Sequence, residues 1–315
     1  MPYQILTNAE LATWIMEMVE AVDCQVHLWH EEGPNDAALL DAADGFFVYG
    51  HPKVDGAMMD TMPNLKVISN MGVGVDHINL KDAKARGIPV GNTPGFVDGA
   101  TADMTFALLL ATARNIVRGD HFARGPDFTH FDANLLHGQE VYGATLGIIG
   151  MGGVGQQVAR RAAGFDMKVL YHNRNEIPEI AAKLGATYTS LNDLLGQSDF
   201  VTLNMPMTPE TRHLIGREEL ALMKPTAILI NAARGGVVDH GALNEALQNG
   251  GIWAAALDVT EPEPLPRDHR LLRMDNVVIA PHLGSATRKT RIGMVERTIE
   301  NMMAGLTGKP LPSAV

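Results

Sequence analysis

With 315 residues, 46% hydrophobic and 19% charged, the chain can bury full cores, and its length favours about two domains. A formal net charge of −11 excludes a basic face able to release counterions from a nucleic acid or to neutralise anionic lipid headgroups, so an anionic ligand has to be caught by a local group. Twelve histidines and one cysteine, Cys24, allow neither a disulfide framework nor a thiolate metal cage; a reducing, cytoplasmic setting is expected, with Cys24 a small core residue rather than a nucleophile.

The opening stretch, MPYQILTNAELATWIMEMVEAV, carries Glu10, Glu17 and Glu20 through its apolar residues and has no basic flank, so it does not read as an export signal. The runs 45–49, 65–69 and 88–90 are short and apolar and alternate with helix-like stretches, a βαβ rhythm that predicts a parallel sheet. After Pro94 and Gly95, DGATADMTFALLLATARN predicts one helix over 98–115. A polar, aromatic-dotted loop at 125–142 precedes TLGIIGMGGVGQQVARRAAGF and KVLYHNR, which read as strand, glycine turn, helix and second strand. Further strands are expected at 200–203, 227–231, 252–257 and 277–279, with a helix at 241–248 among the separating segments. A last helix, 287–304, is expected to cross back and complete the first unit. The expected division is 1–98 with 286–315 as a substrate-binding domain and 99–285 as a dinucleotide-binding domain. The apolar runs 104–113 and 146–151 fall short of the roughly 20 residues of a membrane span. No solenoid-period repeat or low-complexity segment is present.

Gly150, Gly152 and Gly155 form G-x-G-x-x-G between a strand and an amphipathic helix. In that context the first glycine permits the tight turn, the second lets the backbone approach a pyrophosphate, and the third lets helix and strand pack closely. Gly153 and Val154 complete the turn, at a helix end whose N–H groups and dipole suit phosphate. The second strand ends in His172, Asn173 and Arg174 rather than in an acid that would hold a ribose 2′-hydroxyl. A neutral Asn beside a guanidinium suits a 2′-phosphate, so NADP, with NADPH preferred over NADH, is the expected cofactor; the alternative is that Arg174 is a solvated loop residue.

Six segments, VISNMGVGVDHINL, GNTPGFVDGATAD, GIIGMGGVG, INAARGGVVD, ALDVTEPEPLP and APHLGSAT, occur in one order, and through them the chain resembles the D-isomer-specific 2-hydroxyacid dehydrogenases, above all their glyoxylate/hydroxypyruvate reductase branch. The resemblance implies an α/β fold of two Rossmann-like domains, a flavodoxin-like substrate domain and a doubly wound cofactor domain, with a cleft between them. A homodimer and a small 2-oxo acid substrate are also implied. Arg234 matches the substrate-binding arginine, Glu263 the partner of the acid/base, and His282 the acid/base itself. Val73 and Gly74 match the loop whose amides hold the substrate carboxylate. Thr101 is placed near the nicotinamide, Met205, Pro206 and Thr211 near the adenosine half, and Ala232, Asp258 and Gly284 near the carboxamide; each of these could instead be structural. Two departures bear on the substrate pocket: Asp103 stands where many relatives carry Glu, and Phe128 and Phe131 where close relatives carry tryptophan.

The chemistry asks for these residue types. Arginine is a rigid, permanently charged fork that can grip a carboxylate and polarise a ketone. Histidine donates or accepts a proton in the working pH range, and a carboxylate beside it holds the imidazolium form. Taken singly, His282 would be read as structural and Glu263 as a solvated charge in a proline-rich loop; their joint fit to the pattern makes the case. No His, Cys and carboxylate spacing suggests a metal. Alternatives are a 2-ketogluconate-type sugar-acid reductase and, in another class, a dinucleotide-sensing co-repressor, against which the lack of an extra interaction segment counts. A formate dehydrogenase is disfavoured because Glu263 is an acid where that branch has Gln.

Overall fold

In the computed structural model, which describes residues 1–31 and 35–315, the chain divides into two compact units, Met1–Val97 with Thr287–Val315 and Asp98–Ala286. The first alternates β1 (Tyr3–Thr7), α1 (Thr13–Glu20), β2 (Cys24–Leu28), α2 (Ala37–Ala42), β3 (Gly45–Val48), α3 (Gly56–Asp60), β4 (Val67–Asn70), α4 (Leu80–Ala85) and β5 (Val90–Gly91). All strand pairs are parallel, in the order β2-β1-β3-β4-β5, the 2-1-3-4-5 order of flavodoxin-like sheets. Short helices start where a side chain caps them: Asp36, Asp55 and Asn79 accept from the N–H groups of the first turns of α2, α3 and α4. β1 and β2 were not marked by apolar runs. β2 is an edge strand of mixed pattern, CQVHL, and edges do not need two apolar faces.

The second unit opens with α5 (Asp98–Ala113) and α6 (Ile116–Arg124). The expected single helix over 98–115 ends early, because Asn115 adopts φ +51° and its side-chain amide binds the carbonyls of Leu136 and His137 at 3.2 and 3.1 Å; asparagine tolerates the left-handed region better than most residues. Then follow β6 (Thr145–Ile149), α7 (Gly153–Ala162), β7 (Lys168–His172), α8 (Pro178–Leu184), β8 (Ala186–Tyr188), α9 (Leu191–Gln197), β9 (Phe200–Leu203), α10 (Arg217–Leu222), β10 (Ile228–Asn231), α11 (His240–Gln248), β11 (Ala254–Leu257) and β12 (Val277–Ile279). The seven strands are parallel in the order β12-β11-β10-β9-β6-β7-β8. Chain direction across the sheet therefore switches between β6 and β9, and open α/β sheets bind ligands outside the carboxyl ends of strands at such a point. β9, β10 and β11 are buried along their whole length, as parallel strands covered on both faces must be. One apolar cluster, including Ala102, Leu109, Ile148, Phe200 and Ile230, covers one face, and another, including Ile149, Leu203, Leu229 and Leu257, covers the other.

The last helix, α12 (Arg288–Leu306), capped by Thr287, returns to the first unit. Ser69 donates to the Thr298 carbonyl at 2.8 Å, and Asn301 donates to the Asn92 carbonyl at 2.9 Å. Cys24 is buried, and burial above all, with Asp23 and Asp44 nearby, pushes its thiol up to about 11, away from nucleophilic use. Among the described residues no helix is long and apolar enough to cross a membrane, and no group of three or more His, Cys, Asp or Glu could hold a metal ion.

Candidate active site

The turn after β6 is built for glycine. Gly150 has φ +95°, and a Cβ there would lie 2.8 Å from the Asn204–Met205 backbone beyond β9. A Cβ on Gly155 would strike the Gly150 carbonyl. At Gly152 it would meet nothing within 4 Å, so that glycine faces open space beside the first turn of α7, where backbone N–H groups and the helix dipole attract anions. Gly153 packs against the Asp98 carboxylate, and Val154 follows it in the same helical turn. The residues present thus fit a dinucleotide: a cradle kept clear of side chains, at the switch point of the sheet.

Asn173, just past the end of β7, is tied to the glycine turn. Its Oδ1 accepts from the Met151 N–H at 2.8 Å and locks the glycine turn, while Tyr188 donates to its carbonyl at 3.3 Å. Arg174 is exposed. Its charge is one of the causes, after the Thr208 hydroxyl and Glu210's own N–H, that hold the Glu210 carboxyl below its ordinary value. Past β9, the Thr211 hydroxyl donates to the Pro206 carbonyl at 2.8 Å and accepts from the Thr208 N–H at 2.8 Å, which closes the turn that follows Met205.

His282 and Glu263 meet: Nδ1 of the imidazole lies 2.8 Å from Oε1 of the carboxylate. A carboxylate only accepts, so Nδ1 carries hydrogen and Nε2 is the atom that gains or loses the working proton. His282 sits at φ +56°, a strained conformation for a side chain with a Cβ and one that persists only when its surroundings fix it. Asp258 does the fixing. Its carbonyl accepts from the His282 N–H at 2.8 Å, and its carboxylate accepts from the Leu283 and Gly284 N–H groups, both at 2.7 Å. Burial raises the Asp258 carboxyl above its ordinary value, against those two N–H groups and the His282 charge. Gly284 is threaded between Asp258 and Thr101, whose hydroxyl donates to its carbonyl at 3.2 Å.

Arg234 stands on the turn after β10. Asn231, fully buried, shapes that turn by donating to the Arg234 carbonyl at 2.9 Å and accepting from the Ala233 N–H at 3.0 Å; Ala232 lies inside it. The turn packs on the chain leading to Glu263, because a Cβ on Gly235 would collide with the Thr260 backbone. Within this unit the structure thus gathers Thr101, Asp258, Gly284, His282 and Glu263 in one network and stacks the Arg234 turn on the segment that carries Glu263.

Val73 and Gly74 belong to the other unit, in the loop after β4. The Gly72 carbonyl accepts from Thr93 N–H and the Asn70 amide, the Val73 carbonyl from the Asn92 amide at 2.8 Å, and the Gly74 carbonyl from the Asn70 amide at 2.9 Å. With those carbonyls tied back, the trans peptide plane turns the Val73 and Gly74 N–H groups the opposite way. Asn70, Asn92 and Asn231 were missed by sequence reasoning; their one signal is a polar residue ending an apolar strand ahead of a glycine-bearing loop. Asp103, a departure noted above, lies on α5 and pairs with Arg161 of α7 at 2.7 Å.

A family model described as "D-isomer specific 2-hydroxyacid dehydrogenase, NAD binding domain" matches residues 106–284. A glyoxylate reductase of Aeropyrum pernix is 44% identical over 92% of this chain and 89% of its own length. A Thermus thermophilus protein of known crystal structure superposes with a TM-score of 0.90 at 42% identity, over 99% of both chains. An NADPH-dependent glyoxylate/hydroxypyruvate reductase from Sinorhizobium meliloti, solved with NADP and malonate, superposes with a TM-score of 0.89 at 31% identity, over 100% of this chain and 96% of that one. With glycine turn, switch point and His–Glu pair in place, the chain belongs to the D-isomer-specific 2-hydroxyacid dehydrogenases, as an NAD(P)-dependent oxidoreductase that reduces a 2-oxo acid.

Proposed function

We propose that this dehydrogenase reduces glyoxylate and hydroxypyruvate to the D-2-hydroxy acid with NADPH in preference to NADH. The observation that carries the reading is the 2.8 Å pair of His282 Nδ1 and Glu263 Oε1 in the same unit as a glycine turn that fits a dinucleotide. When bound, the reduced nicotinamide supplies the hydride that reaches the keto carbon. Arg234 grips the substrate carboxylate and polarises the ketone, and the amides of the Val73–Gly74 loop are assigned to carboxylate binding. His282 donates the proton at Nε2 to the developing alkoxide, and Glu263 keeps the ring oriented and balances its charge.

The NADPH preference rests on Arg174 and on the lack of an acid at 172–174. In the S. meliloti relative, the name itself states NADPH dependence. A homodimer is supported by apolar side chains left exposed on α6 and the following loop: Ile116, Phe128, Leu135, Tyr142 and, at 85% exposure, Phe131.

Steady-state kinetics over a panel of 2-oxo acids with each reduced nicotinamide tests the reading. Glyoxylate and hydroxypyruvate should exceed 2-ketogluconate in kcat/KM, Arg174→Ala should raise the KM for NADPH and spare that for NADH, and Arg234→Ala should cost about 10³-fold in kcat/KM. A loss of only about tenfold in Arg234→Ala would exclude the role given to it.

A further inference from the structure

The mechanism makes no use of the buried His240. His240 opens α11 directly after its cap, Asp239, whose carboxylate accepts from the Ala242 N–H at 3.0 Å. The residue is 8% exposed, at a helix end that disfavours a cation. Nδ1 lies 3.1 Å from the Glu261 carbonyl oxygen and 3.4 Å from the Glu261 nitrogen. With hydrogen on Nδ1 the ring donates to the carbonyl, and with hydrogen on Nε2 it accepts from the Glu261 N–H, so in either tautomer it binds the Glu261 backbone. Glu261 is held a second time through its side chain, by both terminal nitrogens of Arg212 at 3.0 Å each, with His213 Nε2 at 3.7 Å. It is held a third time by packing: a Cβ on Gly236 would lie 3.0 Å from Glu261 Oε1, and one on Gly235 would enter the Thr260 backbone. The Thr260 hydroxyl donates to the Pro262 carbonyl at 2.9 Å and stiffens the same segment from within. Glu263 is the next residue after Pro262, and Arg234 is the residue before Gly235.

We propose that His240 and Arg212 are positioning residues of the reductase: by holding Glu261 through backbone and side chain, they fix the 260–263 segment against the Arg234 turn and so set the Glu263 carboxylate on His282. This rests on the roles given above to Glu263 and His282. A shift of about 1 Å at such a distance from the chemistry is enough to cost about a hundredfold in rate. The groups facing His240 are Asp239, His269 with ring centroids 6.3 Å apart, and Glu261; burial, then His269, lowers the His240 ring from its ordinary value, which favours the neutral ring. His282 in turn faces Glu263 and Asp258.

The test uses the full chain with glyoxylate and NADPH. His240→Leu removes the hydrogen-bonding ring. His240→Asn restores a partner for the Glu261 backbone, because both its amide Oδ1 and Nδ2 stand the same number of bonds from Cα as Nδ1 of histidine. Arg212→Gln loosens the exposed side of the brace without opening the core. Expected for His240→Leu and Arg212→Gln is a fall of about tenfold or more in kcat, with the KM for glyoxylate and the NADPH affinity by fluorescence titration within about twofold of the parent. His240→Asn should regain most of the lost kcat. If His240→Leu does not fold, Arg212→Gln and His240→Asn still decide. The proposal is overturned if folded variants keep the parental kcat, lose it together with NADPH affinity, or lose it with no recovery in His240→Asn. Glu263→Gln separates the two levels: full activity in that variant removes the roles given to Glu263 and His282, whereas its collapse beside unaffected His240 and Arg212 variants removes the brace alone.

Discussion

A buried group at the site acts through what its neighbours require of it. Asp258, 1% exposed, accepts from two consecutive N–H groups, so its carboxylate supplies two acceptors where an amide supplies one. Asp258→Asn should leave a Leu283 or Gly284 N–H facing an NH2, at a cost of about 1–3 kcal/mol, and should lower kcat with it because His282 precedes that pair. Urea titration beside steady-state assays checks this; an unchanged midpoint would show that the loop is held by other means. His240 yields a pH dependence of defined sign. Its folded value is lowered, by burial first, so the unfolded chain binds more protons between that value and about 6.5. The stability it contributes is complete above the unfolded value and is lost as pH falls through the folded one. The parent should therefore lose more stability between pH 7.5 and 5.5 than His240→Asn, read from urea midpoints at both values, and parallel losses would refute it.

The glycine turn separates folding from binding at the level of single elements. Gly155→Ala presses a methyl into the Gly150 carbonyl, with α7 and β6 unable to part cheaply, so the melting temperature should fall by several degrees. Gly152 has φ −78° and open space around its missing Cβ, so Gly152→Ala should melt with the parent and yet raise the KM for NADPH by about tenfold or more, where a pyrophosphate would come closest. Equal NADPH kinetics in Gly152→Ala would remove the phosphates from that turn. The turn was legible in the sequence because each glycine answers a local demand of strand, turn and helix. So were β9, β10 and β11, whose two buried faces force near-continuous apolar runs. The edge strands β2 and β8 and the break at Asn115 were not: an edge tolerates mixed patterns, and Asn115 turns left-handed through partners at 136 and 137 that become its neighbours only once the chain has folded.

At the scale of the molecule, the order of motifs disclosed an α/β pair of sheets and the His282–Glu263 partnership, yet the side chains that orient the site stayed hidden. Asn70, Asn92, Asn231 and His240 are single polar residues without periodicity, and only topology brings each to the carbonyl or N–H it serves. The two units also differ in how they depend on the chain. Asp98–Ala286 is continuous, with apolar clusters on both faces of its sheet drawn from its own residues. The other unit needs both chain ends: Ile5, Phe47, Val67 and Met71 share a cluster with Met294, Val295 and Met302 of α12, and a Cβ on Gly45 or Gly305 would touch Met302 or Val67. A fragment of residues 98–286 should therefore unfold cooperatively and bind NADPH within about tenfold of the parent, because folding and cradle are both internal to it. A fragment of residues 1–97 should instead fail to fold, with the apolar face beneath α12 laid open to water. Circular dichroism melts and a fluorescence titration decide, and a cooperative melt of 1–97 alone would mean that α12 covers that sheet without completing its core.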